Sequence, residues 1–240
     1  MRRANLKSKQ RGISLLVVLI MVTLSMLLVM GGTRLAVLNE SLAGNDTDYQ
    51  RAFEAAQAML ADAELDVLGQ DTAGNNCTHV NCRTVASPVF FPGATQDYEG
   101  LIDQLSAVAA GTPPCINAIC MNLDRQSNGD AGTSFWNTAA TLATFTAANR
   151  AATYGQYTGA AFAATSGNVL LDPATPRAWY WVEVLPYIST AAARGGNTAL
   201  WSPPPTQPYV YRITAVAQGR KAGTLAVVQS TLVPDPLRGG

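Results

Sequence analysis

An uncharged apolar run near the N-terminus most constrains what this 240-residue chain can fold into. The run extends from Ile13 to Gly32 and holds 20 residues. A helix of that length spans about 30 Å, the thickness of the hydrocarbon core of a bilayer. The run is longer than the apolar part of a cleaved secretory signal, and no small-residue cleavage site follows before Arg34. The sequence therefore predicts a retained single-pass membrane segment over residues 13–33.

The charges on either side of this segment indicate its orientation. Residues 1–12 hold five basic side chains and no acidic one, whereas the rest of the chain holds 11 basic and 16 acidic side chains, a net charge of −5. Basic residues on one side only place the N-terminus in the cytoplasm and the body outside. An acidic body lacks the clustered Lys and Arg that nucleic-acid binding requires, so no nucleic-acid partner is expected.

Beyond the membrane, the helix is predicted to continue over residues 34–68 as an amphipathic segment. Apolar residues recur there at spacings of three and four, with Asn45 and Ala63 at the remaining positions of the stripe. A bend or a short melted section is expected at Gly44 and Asn45, because Gly weakens a helix interior. Gly69 is the expected C-cap. The stripe consists of Leu35, Leu38, Leu42, Tyr49, Phe53, Ala56, Leu60 and Val67.

Charged side chains between the stripe positions are expected on the wetter faces of this helix. These residues are Glu40, Asp46, Asp48, Arg51, Glu54, Asp62 and Glu64.

The C-terminal part, residues 178–240, is predicted to be an antiparallel β-meander. Three segments rich in β-branched and aromatic residues read "AWYWVEVL" (178–185), "YVYRITAVA" (209–217) and "GTLAVVQST" (223–231). The turn "QGRKA" joins the last two as a hairpin. The amphipathic half of the long helix is expected to cover one face of this sheet, which gives an α+β fold.

The middle of the chain, residues 69–177, is predicted to be a variable, loop-rich region without catalytic content. Gly, Pro and Asn interrupt it heavily. The segment "TVASPVFF" (84–91) could form a strand, and "NTAATLATFTAANRAATYG" (137–155) could form a helix.

Four cysteines form two matched C-x4-C pairs, Cys77 with Cys82 and Cys115 with Cys120. Outside the cytoplasm these thiols are expected to be oxidised, and the matched spacing favours two local disulfides. The alternatives are another pairing, or a zinc site made by the four thiolates with His79.

The sequence offers little for catalysis. His79 is the only histidine, so a catalytic triad or a multi-histidine metal site would have to be built around it. The segment "DRQSNGD" resembles a calcium loop in Asp124, Asn128, Gly129 and Asp130, but Phe135 stands where a bidentate Glu is expected. We therefore predict a protein that is not an enzyme, with no cofactor and no resident metal.

The basic leader that ends in Gly12, followed by a retained apolar helix, resembles the prepilin signal of type IV pili and type II secretion systems. In that family a membrane peptidase cuts after the glycine and methylates the new N-terminus. The resemblance implies cleavage between Gly12 and Ile13 and N-methylation of Ile13. The usual first residue is Phe, so Ile13 departs mildly from the pattern.

The stretch "LNESLAGNDTDYQRAFEAAQAMLADAE" (38–64) is similar to the PilX-type minor pilins. Gln57 stands where the family pattern has Glu. The C-terminal stretch "YRITAVAQGRKAGTLAVVQST" (211–231) is also similar to the last hairpin of that family, and together the two stretches cover roughly a third of the chain. The matching residues in the first stretch are Glu40, Ala43, Gly44, Asn45, Ala52, Phe53, Ala55, Ala56 and Glu64.

The fifth residue after the implied cleavage site is Val17, where most pilins have Glu. The family's Glu is thought to pair with the N-terminal amine of the subunit above it, so the resemblance implies a priming subunit at or near the pilus tip, with roles in pilus biogenesis, twitching motility and adhesion. The implied partners are other minor pilins, the major pilin, a tip-associated adhesin, the prepilin peptidase and the inner-membrane assembly platform.

The resemblance also implies a location. The head is expected in the periplasm before assembly and on the extracellular pilus afterwards. Two alternatives stay open: a Glu-lacking minor pseudopilin of type II secretion, and a single-pass anchored binding domain.

Overall fold

The computed structural model describes residues 13–83, 89–92, 95–109, 112–121, 123, 134–165, 167–187, 202–203 and 207–233. The chain divides into two compact units, one up to Thr47 and one from Asp48 onward. We call the second unit the head. The described helices are α1 (Ile13–Leu68), α2 (Thr95–Ser106) and α3 (Ala139–Phe145), with a 3-10 turn at Val169–Leu171. The strands are β1 (Cys115–Ile116), β2 (Ile119–Cys120), β3 (Ala178–Pro186), β4 (Tyr209–Gln218) and β5 (Leu225–Leu232).

Helix α1 ends at Leu68, as the sequence pattern predicts, and 56 of its residues lie in the described part of the chain. The melted section expected at Gly44 and Asn45 is absent, so that part of the prediction is wrong. Helix formation is cooperative, so the long helical stretches on both sides carry the hydrogen-bonded ladder through Gly44 and the weak helix formers that follow it.

Gly69 ends α1 as predicted. Its φ is +65°, in the left-handed region that Gly adopts without a Cβ penalty. The N–H of Gly69 donates to the carbonyl of Asp66 at 3.1 Å, and the N–H of Gln70 donates to the carbonyl of Leu65 at 2.9 Å. These two bonds make a Schellman motif and satisfy carbonyls that the helix end would otherwise leave without donors.

The sheet has five strands in the order β1-β2-β3-β4-β5. Strands β3, β4 and β5 form the predicted antiparallel meander, and Gln218 pairs with Leu225 at the base of the last hairpin. The α+β fold class is confirmed. The two short strands at the other edge were not predicted, and β2 lies parallel to β3.

Both faces of the meander are covered, because side chains alternate between them along each strand. Tyr180 and Val182 face α1 and α2, together with Ile213 of β4. Trp179 and Trp181 face the opposite side, where they pack with Phe135, Phe145 and Leu142. The sequence pattern predicts that α1 covers one face of the sheet, but it does not predict this second aromatic layer.

The middle region contains α2, β1, β2, α3 and the 3-10 turn. Helix α3 lies inside the segment 137–155 that could form a helix, although it is only seven residues long. Its N-cap Thr138 accepts a hydrogen bond from the N–H of Thr141. Of "TVASPVFF", residues 84–88 lie outside the described residues, and residues 89–91 are not a strand.

Candidate functional site

The first part of α1 exposes an almost wholly apolar surface. Ile13, the first described residue, is 70% exposed, and Val17 is 45% exposed. Gly12 lies outside the described residues. In the described part of the chain, α1 is the one helix long and apolar enough to cross a membrane. By length and composition alone, it is consistent with a membrane anchor.

The few hydroxyl groups in this apolar part bond to the helix itself. Thr23 donates to the carbonyl of Ile20 at 2.9 Å, Ser25 donates to that of Met21 at 2.8 Å, and Thr33 donates to that of Met30 at 3.1 Å. In hydrocarbon an unsatisfied hydroxyl would cost several kcal/mol, and bonding to a carbonyl three or four residues back avoids that cost. The segment is therefore suited to an apolar environment.

The face of α1 that packs on the sheet lies beside the predicted stripe. Ala52, Ala55, Met59 and Ala63 are fully buried there. Of the predicted stripe, Ala56 and Ala63 are buried, Phe53, Leu60 and Val67 are half-buried at the edges of the core, and the rest is exposed. The exposed stripe residues are Leu35, Leu38, Leu42 and Tyr49.

Three aspartates lie in this buried face. Asp48 is 5% exposed, Asp62 is 2% exposed and Asp66 is 3% exposed. The prediction that Asp48 and Asp62 lie on the wetter faces is therefore wrong. A buried carboxylate requires hydrogen-bond donors, and in this head each of the three finds its donors in a different segment.

Asp48 binds the turn between β4 and β5. One carboxylate oxygen accepts the N–H of Arg220 and the other accepts that of Lys221, each at 2.9 Å. The bond from Lys221 is the main cause that lowers the pKa of Asp48. Asp48 thus attaches the last hairpin to the start of the head's helix.

Asp62 binds the turn at residues 155–158. It accepts the N–H of Gly155 at 2.8 Å and the hydroxyl of Thr158. Burial raises the pKa of Asp62 to about 6, and these two hydrogen bonds only partly oppose the rise.

Asp66 binds Arg83 and Tyr180 deep in the head. The Nε of Arg83 lies 3.0 Å from both carboxylate oxygens, and the hydroxyl of Tyr180 donates at 2.8 Å. Burial raises the pKa of Asp66, and the charge of Arg83 opposes that rise. The guanidinium also stacks 3.7 Å from the ring centroid of Tyr157.

A fourth buried carboxylate lies on the other face of the sheet. Glu183 of β3 accepts the N–H of Leu123 at 2.8 Å and the Nε of Arg212 at 2.7 Å. Its sequence signal was visible in "AWYWVEVL", where it is the single charge in an apolar strand. For the aspartates, the available signal was their seven-residue spacing from buried apolar residues, which places them on the buried face of the helix. The two series are Asp48, Ala55 and Asp62, and Ala52, Met59 and Asp66.

Both local disulfides, Cys77–Cys82 and Cys115–Cys120, are present. All four thiols are consumed, so no thiolate is left for the alternative zinc site. The second bridge closes the β1–β2 ribbon, whose two turn residues, Asn117 and Ala118, have positive φ as in a type I′ hairpin. The carbonyl of Ala118 accepts the N–H of Val182 at 2.8 Å, which docks the ribbon on β3.

The described residues contain no cluster of three or more His, Cys, Asp or Glu that could hold a metal ion. His79 lies in the exposed loop of the first disulfide, against Gly159. Of the calcium-like residues, Asp124, Asn128, Gly129 and Asp130 lie outside the described residues. Phe135 is buried in the aromatic layer. The polar groups of the site therefore hold the head together.

Comparison with protein families decides the assignment. A family model described as PilX N-terminal matches residues 11–61. A second, described as type IV pilus assembly protein PilX C-term, matches residues 71–234, more than half of the chain. The chain belongs to the PilX family. Comparison with curated proteins gives no match, and comparison with solved structures gives none.

PilX membership confirms the resemblance and extends it. The C-terminal PilX match includes both disulfides, α2, α3 and the whole sheet, so the middle region is part of the PilX sequence pattern. The N-terminal PilX match includes Gly12, Ile13 and Val17, and also Asp48. PilX membership supports a role as a minor pilin of type IV pili.

Proposed function

We propose that the chain is a minor pilin that primes type IV pilus assembly at the inner membrane and lies at or near the pilus tip. Three features support this role: PilX membership, an apolar N-terminal part of α1, and a head whose own part of α1 is joined to the sheet and turns by buried aspartates. In this role, residues 1–12 are the leader that the prepilin peptidase removes.

Val17 is the single observation that carries the tip location. A lone carboxylate at the bilayer centre costs at least about 2.5–3.5 kcal/mol, so it is kept only where a partner is supplied. In an assembled pilus the partner would be the N-terminal amine of the subunit above. A tip subunit has no such neighbour, and Val17 gives it no carboxylate. The amine of Ile13 can still attract the Glu of the next subunit.

The partners follow from this position. Other minor pilins and the major pilin would contact the exposed apolar side chains of α1, and a tip-associated adhesin would contact the head. The head would be periplasmic before assembly and extracellular afterwards. A tip complex of this kind would support pilus biogenesis, twitching motility and adhesion.

The secretion pseudopilin and the anchored binding domain are the two other candidates. The PilX match favours the pilus over the secretion system, because the matched family is described as a pilus assembly protein. An anchored binding domain would not require cleavage at Gly12.

The test replaces Val17 with Glu in the full-length protein, in a host that lacks the wild-type copy. The new carboxylate lets the subunit pair with the N-terminal amine of a pilin above it, and so enter the shaft. We therefore expect immunogold labelling to move from pilus ends to the shaft, and the amount of label per pilus to rise several-fold. Val17→Gln is the matched control, since the Gln side chain has nearly the shape of Glu but carries no charge.

Val17→Gln should leave labelling at the ends. The proposal is contradicted if Val17→Glu leaves pilus number and the position of the label unchanged.

A further inference from the structure

The segment that carries the first disulfide connects the C-terminal end of α1 to the buried ion pair of the head. The N–H of Cys77 donates to the carbonyl of Gly69, the C-cap of α1, at 2.8 Å. The Cys77–Cys82 bridge joins this fixed point to Cys82. Arg83 follows directly, and its Nε lies 3.0 Å from both carboxylate oxygens of Asp66. The disulfide is therefore a covalent step between the helix end and the residue that enters the core.

The two parts of this segment are held in different ways. Before Cys77, the carboxylate of Asp71 accepts two backbone N–H groups of its own turn, each at 2.9 Å, and a β-bridge joins residues 70 and 76. After Cys77 the chain forms an exposed loop, in which Val80 is 90% exposed. Because an exposed loop gains little from packing, the disulfide is the main restraint on the position of Cys82.

Arg83 depends on this restraint because its guanidinium is almost fully buried, as is the carboxylate of Asp66. The desolvation of a buried pair is offset only when both charges are held in good geometry. The guanidinium also donates to the carbonyl of Asn117 and stacks on the ring of Tyr157. Without the bridge, the segment would lose more conformational freedom on placing Arg83 here, and the ion pair would form less often.

A cavity gives small reagents access to this bridge. Its volume is about 300 Å³, and both Cys82 and the exposed Val80 line it. The second bridge is different, because Cys115 and Cys120 are buried in the head. Thiol–disulfide exchange requires access to a sulfur, so the first bridge can open while the second stays closed.

We propose that the Cys77–Cys82 disulfide is a redox latch for the head. Its formation outside the cytoplasm locks Arg83 onto Asp66, and its reduction releases Arg83. Forming the bridge takes two electrons and two protons from the two thiols. Thiol–disulfide exchange passes them to the disulfide of an extracytoplasmic oxidoreductase, which becomes a dithiol. The head is thus completed only after export, a conclusion that rests on the proposed location of the head and not on the pilus role.

Trypsin reports the state of Arg83, because it cuts after an arginine only when that residue can enter its active site. The experiment compares the oxidised full-length protein, in uncharged micelles, with protein whose first bridge has been opened by mild dithiothreitol and alkylated. Peptide mass spectrometry measures cleavage and checks that Cys115–Cys120 stays closed. We expect cleavage after Arg83 to be at least about tenfold faster in the opened form. Arg220, exposed in the β4–β5 turn, is the internal reference and should be cut equally in both.

The double variant Cys77→Ser with Cys82→Ser opens the latch without alkylation and should show the same cleavage. Arg150 and Arg177, whose side chains bind carbonyls elsewhere in the head, should stay protected in both opened forms. Slow cleavage after Arg83 in both opened forms overturns the proposal. So does cleavage after Arg150 and Arg177 that rises as much as cleavage after Arg83, because the bridge would then hold the whole head. The assay uses purified protein, so its outcome does not depend on the pilus role.

Discussion

The Nε of Arg83 lies 3.0 Å from both carboxylate oxygens of Asp66, and both side chains are almost fully buried. Tyr180 of β3 donates to the same carboxylate, and Arg83 also donates to the carbonyl of Asn117 in the β1–β2 turn. One ion pair thus joins α1, the segment after the first disulfide, the β1–β2 ribbon and the central sheet.

Removing one partner of this pair should destabilise the head strongly. Asp66→Ala leaves the Arg83 charge buried without a counter-charge, and breaking a buried pair in this way costs about 3–5 kcal/mol. Urea unfolding of the full-length protein in micelles would measure the change. Glu54→Gln, at an exposed position of the same helix, should change stability by less than about 0.5 kcal/mol.

The double variant Asp66→Leu with Arg83→Met tests the same explanation by removing both charges together. Replacing both charges by apolar side chains should recover most of the lost stability, because the desolvation cost disappears with the charges. A double variant as unstable as Asp66→Ala would show that the ion pair is not the cause.

Asp62 should make the stability of the head depend on pH. Its pKa is about 6 in the folded state against an ordinary value of 3.8. Between about pH 4 and 6 the folded head keeps a proton that the unfolded chain releases, so stability falls as pH rises through this window. The contribution of this group is at most about 1.4 kcal/mol per pH unit.

Asp62→Asn should remove this component, so the wild-type and variant proteins should differ in slope between pH 4 and 6. Urea midpoints at half-unit intervals would measure both slopes. Parallel curves across this window would contradict the assignment to Asp62.

The sequence predicted the elements whose signal is local. The period of apolar residues and Gly69 gave the course of α1 and its C-terminal end, β-branched runs gave the three long strands, and matched spacing favoured the two disulfides. The buried aspartates were missed because their donors are distant in sequence. Gly155 is 93 residues from Asp62, and Arg220 is 172 residues from Asp48.

The second layer on the sheet was missed for a related reason. Phe135 and Phe145 lie in an Ala/Thr-rich segment without a clear period, and only the contacts of Phe135 with Phe145 and with Trp181 reveal that they form a core. Helix α2 had a local signal that the sequence analysis missed, because Tyr98, Leu101 and Leu105 recur at spacings of three and four and pack on the core. The parallel pairing of β2 with β3 depends on tertiary contacts that no local pattern encodes.

Two glycines with positive φ offer a matched comparison. Gly69→Ala places a Cβ in open space, so it should cost only the left-handed conformation, about 1 kcal/mol. Gly155→Ala places a Cβ 1.9 Å from the carbonyl oxygen of Ala160, which must move, and this should add roughly 1–3 kcal/mol. Equal costs in urea unfolding would argue against the tight turn beside Asp62.

The two disulfides should differ in their access to reductant. Cys115 and Cys120 are 1% and 2% exposed, whereas the loop that contains Cys77 is largely open to solvent. Since thiol–disulfide exchange requires access to a sulfur, mild dithiothreitol under native conditions should reduce Cys77–Cys82 at least several-fold faster. Alkylation followed by peptide mass spectrometry would measure both rates, and equal rates would contradict the burial difference.

Processing at Gly12 tests the pilin assignment most directly. The measurement is the intact mass and N-terminal peptide of the protein from its native host, with and without the prepilin peptidase. We predict an N-methylated Ile13 terminus that disappears when the peptidase is absent. A terminus at Met1 or Arg2 in both strains would contradict it and leave an anchored domain that does not enter a pilus.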